Sequence, residues 1–373
     1  MIEPSKAIDF ARSKFAGHPS VVVEAPGRIN YIGEHTDYNG GLALPIAIDR
    51  GVTLVIAEHS EGSKVRAISQ SQPELVNVDL EDIVRAKSFE GWSRYLLGAV
   101  KVLLEEGFSL RGADIAISSD LPLGSGLSSS AALLLAVVYG LSLHNGLDLK
   151  REVIIELAHR AESSYSGANV GFLDHFAIGY ATANTATLID FSVMKHRSCE
   201  IPFSDLMVVD SNVHHSISSG GYGRRRVECE LAAKTLKHRF ISQATLEEVQ
   251  SLSDPELRLR AMHVIGENMR VKAVASAFGE GKSGASYLTE SHESLRDQFQ
   301  VSCPETDLIV ETCLLAGAEG ARMVGGGFGG SCIVVGGDYE ALQSAVTSAF
   351  SMRGYIEPAF FRAGLSGTLR QVL

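Results

Sequence analysis

Hydrogen-bonding side chains concentrate in the segment APGRINYIGEHTDYNGGLALP, which lies between two apolar stretches typical of strands. Within a dozen positions it holds Arg28, Asn30, Glu34, His35, Asp37 and Asn39. A polyol needs many directional donors and acceptors, and a buried carboxylate that the wrong epimer leaves unpaired discriminates between sugars. The segment therefore favours a sugar site over a solvated loop. A zinc site is the weaker alternative, because EHTD lacks the i, i+4 histidine pair of a zinc-binding helix.

A second segment could bind phosphate. It runs into a strongly apolar helix and consists of Gly124, Ser125, Gly126, Leu127, Ser128, Ser129 and Ser130. Glycine lets backbone N–H groups converge on one point, and a helix N-terminus attracts anions. No lysine follows the glycines, so this is not a P-loop; serine hydroxyls, the helix dipole and a metal ion would have to offset the phosphate charge. The residues alone fit a serine-capped helix after a tight turn equally well.

A third segment, MVGGGFGGSCIVV, formally contains the G-x-G-x-x-G pattern of dinucleotide-binding proteins, from Gly325 to Gly330. That assignment fails because the glycines lead into a strand-like run rather than a helix, and no acidic residue follows about 20 positions later. A turn in which the backbone closely approaches another group fits better. A glycine-rich connection inside a sheet is the alternative.

Composition limits the class of protein. A chain of 373 residues, 45% of them apolar, can bury a large core and favours two domains. Its formal charge of −11 repels nucleic acid and anionic membranes. The N-terminus has no uninterrupted apolar core of a signal peptide, and no long apolar run occurs, so we expect a cytoplasmic protein. The five cysteines lack C-x-x-C and zinc-ligand spacing and are expected to be reduced.

The elements that must position these segments indicate an α+β fold. Apolar periodicity predicts a helix over 5–15 and a strand over 21–24 that enters the first segment as a glycine-rich turn. A strand over 113–118 precedes the serine segment, and a helix over 151–164 follows its helix. New strands begin near residues 187 and 206, and no internal repeat is present, so a second α+β domain is expected.

Together and in this order, the three segments resemble the three motifs of the GHMP kinase superfamily, and the first resembles the signature of the galactokinases within it. The similarity extends from Ala25 to Cys332. It implies a two-lobed α+β (α/β) fold with the active site in the cleft between the lobes. The lobes would span residues 1–177 and 178–351, and a C-terminal segment of about 352–373 would return to the first lobe.

The resemblance implies a kinase that uses ATP and Mg²⁺ to phosphorylate D-galactose at its anomeric hydroxyl. We expect a monomer without nucleic-acid or membrane partners. Asp174 matches the catalytic aspartate of the family in GFLD, and Arg28 is its partner. A carboxylate beside a guanidinium stays ionised at neutral pH and can accept the hydroxyl proton, while Arg28 stabilises charge on the phosphoryl group. If deprotonation is late, positioning and electrostatics supply most of the rate instead.

The ligand-binding residues also follow from the resemblance. The sugar would contact Glu34, His35, Asp37, Gly171 and Tyr222. The triphosphate would lie on the serine segment, Gly124 to Ser130, with Trp92 and Tyr95 beside the adenine. Trp92 serves equally well as a core anchor of its helix. The Mg²⁺ ligands would be Ser130, or Ser129 in its place, and Glu162.

Two positions depart from the family pattern. His175 follows Asp174 where galactokinases usually have glutamine, and Ser331 precedes Cys332 where many relatives have cysteine directly after the glycines. His175 leaves open a GHMP kinase for another sugar, such as N-acetylgalactosamine, arabinose or galacturonate. A catalytically silent sugar sensor is less favoured, because GLSSSAA, Asp174 and Arg28 are all intact.

Overall fold

The computed structural model describes residues 1–58, 62–122, 126–167, 170–213, 221–365 and 367–373. In the first half of the chain the elements are α1 Pro4–Lys14, β1 Pro19–Asn30, β2 Leu42–Ala43, β3 Pro45–Glu58, β4 Lys64–Ser69, β5 Val76–Asp79, α2 Leu80–Arg85, α3 Ser93–Glu105, β6 Ala113–Ser119, α4 Ser129–His144, α5 Arg151–Tyr165, α6 Leu173–Gly179, β7 Thr185–Asp190 and β8 Lys195–Glu200.

In the second half they are β9 Asp205–Asp210, α7 Gly221–Thr235, α8 Leu246–Gln250, α9 Pro255–Gly279, α10 Ala285–Ser294, α11 Pro304–Leu315, β10 Gly320–Met323, β11 Ser331–Val335, α12 Tyr339–Arg353, β12 Ala359–Gly364 and β13 Arg370–Gln371. A 3-10 turn covers Asp37–Asn39, another covers Ile241–Gln243, and a π-helical turn covers Leu295–Phe299. Within the described ranges, no helix is both long and apolar enough to cross a membrane.

Within the described residues the first sheet has nine strands, and its main path runs β13-β1-β3-β6-β4-β5. Its two faces are buried by different helices, because successive side chains of a strand point to opposite faces. Val22 of β1 and Val55 of β3 pack with α1, whereas Val23 and Leu54 join the larger core that contains α3, α4 and α5. Helix α4 is apolar on all sides because it is buried in that core.

The second sheet has the antiparallel order β10-β11-β9-β12. Its core includes residues of α7, α9, α11 and α12. Strands β7 and β8 lie beyond residue 177, but β7 pairs with β2 and β3, and β8 pairs with β7, so the first sheet continues to Glu200. The C-terminal β13 pairs with β1, while β12 pairs with β9. The division into lobes at residue 177 stays a prediction.

Several sequence-predicted elements are confirmed. The predicted helices over 5–15 and 151–164 are α1 and α5, and the predicted strand over 113–118 is β6. The turn expected after residue 24 is wrong, because β1 continues to Asn30. A register shift between Pro26 and Arg28 lets the strand pass this proline and glycine while still pairing with β3.

Candidate active site

Arg28 and Asp174 form an ion pair at the centre of the site. Arg28 lies near the end of β1, and Asp174 lies in the first turn of α6. The Nε of Arg28 donates to Asp174 Oδ1 at 2.8 Å, and its Nη2 lies 2.6 Å from the same oxygen. Nη1 donates to the carbonyl of Gly126 at 2.6 Å. The guanidinium therefore joins the first segment, the serine segment and the predicted catalytic carboxylate.

The charge of Asp174 is maintained by its neighbours. Burial raises the pKa of this carboxyl, but the charge of Arg28 and hydrogen bonds from Ser128 and Arg28 outweigh that effect, so the pKa lies below its usual value. Ser128 Oγ donates to Asp174 Oδ2 at 2.5 Å. The side chain of Asp174 is still 30% exposed. An ionised, partly accessible carboxylate can orient a substrate hydroxyl and accept its proton.

Asp37 is the second carboxylate of the site. It opens the 3-10 turn within the first segment and lies against the backbone of Gly171. A Cβ at position 171 would overlap the Asp37 carboxylate, so only glycine permits this approach. Burial raises the pKa of Asp37 to about 6; a backbone hydrogen bond from Tyr38 opposes this shift, and the nearby charges of Asp174 and Glu34 add to it.

His35 and Tyr222 form an aromatic group beside Asp37. Tyr222 is the second residue of α7, and its ring centroid lies 5.5 Å from that of His35 and 5.8 Å from that of Tyr38. His35 Nδ1 lies 3.0 Å from the Tyr38 hydroxyl, and Phe299 packs on the imidazole with centroids 4.6 Å apart. Burial lowers the pKa of His35 to about 3, so this imidazole is neutral.

The second nitrogen of His35 has no hydrogen-bond partner among the residues that the structure describes. His35 is buried, and its Nε2 makes no hydrogen bond within the described part of the chain. A buried polar atom without a partner is costly, unless a ligand or water completes it. Glu34 is also buried, but its Oε1 is already engaged by Arg322 and by the backbone N–H of Gly325.

Glu162 and the serines of α4 are the residues that could hold a metal ion. Ser129 and Ser130 are the first residues of α4, half-buried, and Glu162 is buried on α5, which packs against α4. Glu162 Oε2 lies 3.1 Å from His175 Nε2. Among the described residues, no group of three or more histidine, cysteine or acidic side chains could hold a metal. These oxygen donors fit Mg²⁺ only if substrate phosphates complete its coordination, as is usual for this ion.

The predicted nucleotide residues are only partly placed. Gly124 and Ser125 lie outside the described residues. Gly126 is exposed and Leu127 is buried, with its carbonyl accepting the Arg28 backbone N–H at 3.2 Å. Trp92 and Tyr95 are half-exposed at the start of α3 and pack partly on the first core. No hydrogen bond or ring contact within the described ranges joins these two aromatic residues to Asp174, Arg28 or Ser128.

Sequence reasoning missed a buried polar network behind the first segment. Glu267 of α9 accepts the backbone N–H of Gly33 at 2.9 Å, and His263 Nε2 lies 3.2 Å from the carbonyl of Glu34. Arg322 lies 2.7 Å from the Glu34 carboxylate. These residues are more than 200 positions away in sequence, so their only local signal is a charged residue within an apolar pattern, such as the arginine of the strand GARM.

Comparison with known proteins shows that the chain is similar to galactokinases and to GHMP kinase domains. A galactokinase galactose-binding signature matches residues 12–58, a GHMP kinase N-terminal domain matches 94–182, and a GHMP kinase C-terminal domain matches 272–351. The chain is 38% identical over 347 residues to a galactokinase of Thermotoga neapolitana, covering 91% of this chain and 96% of that protein. It is 37% identical over 377 residues to a galactokinase of Streptomyces coelicolor, with 97% of each covered.

Solved structures give the same grouping. Lactococcus lactis galactokinase, crystallised in complex with galactose, superposes with a TM-score of 0.90 at 31% identity over 98% of both chains. The mevalonate kinase of Methanococcus jannaschii superposes with a TM-score of 0.67 at 20% identity over 92% of this chain and 98% of that one. The second likeness shows a common fold.

Proposed function

Since this chain belongs to the galactokinase family of the GHMP kinases, we propose that it transfers the γ-phosphoryl group of ATP to the anomeric hydroxyl of D-galactose. The products are galactose 1-phosphate and ADP. One observation carries this proposal: the Asp174 carboxylate lies between Arg28 of the first segment and Ser128 of the serine segment. A sugar hydroxyl and a phosphate would meet at that carboxylate.

Asp174 orients the anomeric hydroxyl and takes up its proton as the new P–O bond forms. Its ionised state supports this role, since Arg28 and Ser128 lower its pKa against the effect of burial. Arg28 also offsets negative charge on the phosphoryl group in transfer. The reaction is written as attack of the hydroxyl oxygen on the γ-phosphorus, with ADP as the leaving group.

The nucleotide is proposed to bind at the N-terminus of α4. Backbone N–H groups and the hydroxyls of Ser129 and Ser130 face the triphosphate there, and the helix dipole favours its charge. Ser130 and Glu162, together with phosphate oxygens, would hold Mg²⁺, which would supply positive charge to offset that of the leaving group. Trp92 and Tyr95 are proposed to contact the adenine, and the half-exposed position of both rings leaves a face for it.

The sugar is proposed to lie against Glu34, His35, Asp37, Gly171 and Tyr222. The unpartnered Nε2 of His35 is a donor or acceptor for a sugar hydroxyl, and the Asp37 carboxylate is a charged acceptor. Glu34 is proposed to contact the side of the sugar ring away from Asp37. Together these groups suit a neutral hexose with free hydroxyls better than a sugar acid, because Glu34 and Asp37 would repel its carboxylate.

The test is turnover by the unmodified protein with ATP, Mg²⁺ and a panel of free sugars. The kcat/KM for galactose should exceed that for glucose, N-acetylgalactosamine, arabinose and galacturonate. Another sugar at the top of the panel would reject the galactokinase activity but keep the kinase. Binding of ATP and galactose with no turnover of any sugar would favour the silent sensor. Light scattering of the same sample tests the proposed monomer.

A further inference from the structure

The Glu34 carboxylate receives two contacts from a strand and a turn far away in sequence. Arg322 Nη2 lies 2.7 Å from Glu34 Oε1, and the backbone N–H of Gly325 donates to the same oxygen at 2.7 Å. Arg322 has an exposed fraction of 0% and Glu34 of 6%. A charged pair this buried needs its partners, since either charge alone would be left uncompensated in the interior.

Arg322 is held in one orientation by further contacts. Its Nε donates to the carbonyl of Met323 at 2.8 Å, and its Nη1 donates to the carbonyl of Tyr31 at 3.1 Å. The guanidinium thus connects β10 to the backbone and side chain of the first segment at once. Only a planar fork with several fixed donors can do this; a lysine ammonium on a flexible stem cannot reach all three partners.

Gly325 also faces the serine segment. Its φ of +84° is a conformation that favours glycine, and a Cβ built there would lie 3.9 Å from the Cα of Gly126. The carbonyl of Gly126 in turn accepts a hydrogen bond from Arg28 Nη1. The glycine turn, residues 325–330, therefore has Glu34 of the proposed sugar site on one side and the proposed phosphate loop on the other.

We propose that Arg322, Glu34 and Gly325 couple the sugar site to the nucleotide site, with Arg322 as the positioning residue. Both observed contacts fall on Glu34 Oε1, which leaves Oε2 for a sugar hydroxyl. A bound sugar fixes the Glu34 carboxylate, the carboxylate fixes the Gly325 N–H, and the turn packs against Gly126. The inference rests on the proposed function, because it takes galactose as the ligand of Glu34.

Coupling of this kind is reciprocal: if nucleotide tightens galactose binding, galactose tightens nucleotide binding by the same factor. Coupling factors between two sites are typically about 5- to 150-fold. Arg322 keeps the Glu34 carboxylate against Gly325. Its contacts therefore set the size of the coupling factor in this chain. Loss of Arg322 should therefore remove the coupling more than it removes either binding event.

The experiment measures galactose affinity by calorimetry with and without a saturating non-hydrolysable ATP analogue and Mg²⁺. The unmodified protein should bind galactose about fivefold or more tightly with the analogue present. In Arg322→Lys the ratio of the two affinities should fall to near one. The matched control is Arg66→Lys, which breaks a bidentate pair with the buried Asp114 in the first sheet; it should keep the full ratio.

A second measurement needs no variant and covers the case in which Arg322→Lys does not fold. Galactose alone should slow hydrogen exchange at the amides of residues 324–330 as well as in the first segment. Protection restricted to the first segment, or an unchanged affinity ratio in a folded Arg322→Lys, would overturn the coupling while galactose turnover still supports the function. Absence of any galactose binding would overturn both.

Discussion

Ser128 Oγ donates to Asp174 Oδ2 at 2.5 Å, on the carboxylate oxygen that Arg28 does not touch. Ser128 is also the residue that precedes α4, with a left-handed φ of 60°. The hydroxyl therefore binds the proposed catalytic carboxylate and does not cap the helix. Two serines of one segment are therefore expected to have different roles, Ser128 toward Asp174 and Ser130 toward the metal ion.

Ser128→Ala and Ser130→Ala should therefore affect different properties, the first kcat and the second the Mg²⁺ requirement. Loss of the Ser128 hydroxyl removes a hydrogen bond to a charged group, a contribution of about 1.5–3 kcal/mol, so we expect kcat to fall at least tenfold with an unchanged Mg²⁺ requirement. Ser130→Ala should raise the Mg²⁺ concentration needed for half-maximal rate without changing galactose affinity. Mg²⁺ titrations of both variants decide this, and an unaltered titration in Ser130→Ala would move the metal role to Ser129.

Asp174→Asn keeps the shape of the side chain but removes its charge and its proton acceptance. We expect kcat to fall by about 10²–10⁴-fold, while the dissociation constants of galactose and of the ATP analogue stay within a few-fold. Single-turnover kinetics with calorimetry measure both. Asp190→Asn, on the first sheet with a carboxylate that accepts the Ser192 backbone N–H at 2.9 Å, is the control. Turnover like that of the unmodified protein would remove Asp174 from the mechanism.

The raised pKa of Asp37 predicts a pH dependence of galactose binding. With a pKa of about 6, Asp37 is ionised above that pH and protonated below it. Because the ionised carboxylate is the better acceptor, galactose affinity should be constant near pH 7.5 and fall as pH drops through 6, by up to tenfold per unit. Asp174, whose pKa is lowered, stays ionised over this range.

Calorimetry without nucleotide isolates this effect, since the phosphates of ATP also titrate. Asp37→Asn should bind weakly at every pH and lose the transition near pH 6. A transition that persists in Asp37→Asn would assign it to another group. His35 is not a candidate for that group, because its pKa of about 3 keeps it neutral throughout.

His175 is expected to support Glu162 rather than to choose the sugar. It is fully buried on α6, with Nε2 at 3.1 Å from Glu162 Oε2. In His175→Gln a side-chain amide can replace this neighbour, so the Mg²⁺ requirement and the order of sugars in the panel should be retained. His175→Leu leaves the buried Glu162 without that partner. The Mg²⁺ concentration that this variant needs for half-maximal rate should therefore rise. A changed order of sugars in His175→Gln would make this residue a specificity determinant.

The local segments of this site could be predicted from the sequence, but the contacts between residues distant in sequence could not. The first segment, the serine segment and GFLD were recognisable because their hydrogen-bonding residues or glycines are dense and adjacent. The contacts of Glu34 with Arg322, and of Gly33 with Glu267, depend on how a distant strand and helix pack, which no local pattern encodes. The same limit explains β7, whose strand character was predicted but whose pairing with β3 was not.

The last prediction concerns the choice between epimers. Galactose and glucose differ only at the 4-hydroxyl, so discrimination requires a buried group that one epimer pairs and the other leaves unpaired, at a cost of about 1–3 kcal/mol. We assign this role to Asp37, because its carboxylate packs directly against the backbone of Gly171 and charged hydrogen bonds are about twice as strong as neutral ones.

Asp37→Ala should lower kcat/KM for galactose sharply and change kcat/KM for glucose much less. The galactose-to-glucose ratio of kcat/KM should therefore fall. Gly171→Ala tests the same idea from the other side, since the added Cβ overlaps the Asp37 carboxylate and must displace it. Both variants should therefore lower the galactose-to-glucose ratio of kcat/KM, whereas Asp190→Asn should leave it unchanged. Asp37→Ala could instead lower activity on both sugars by the same factor. Asp37 would then bind the ring without distinguishing the orientation of the 4-hydroxyl, and the discriminating group would lie elsewhere in the site.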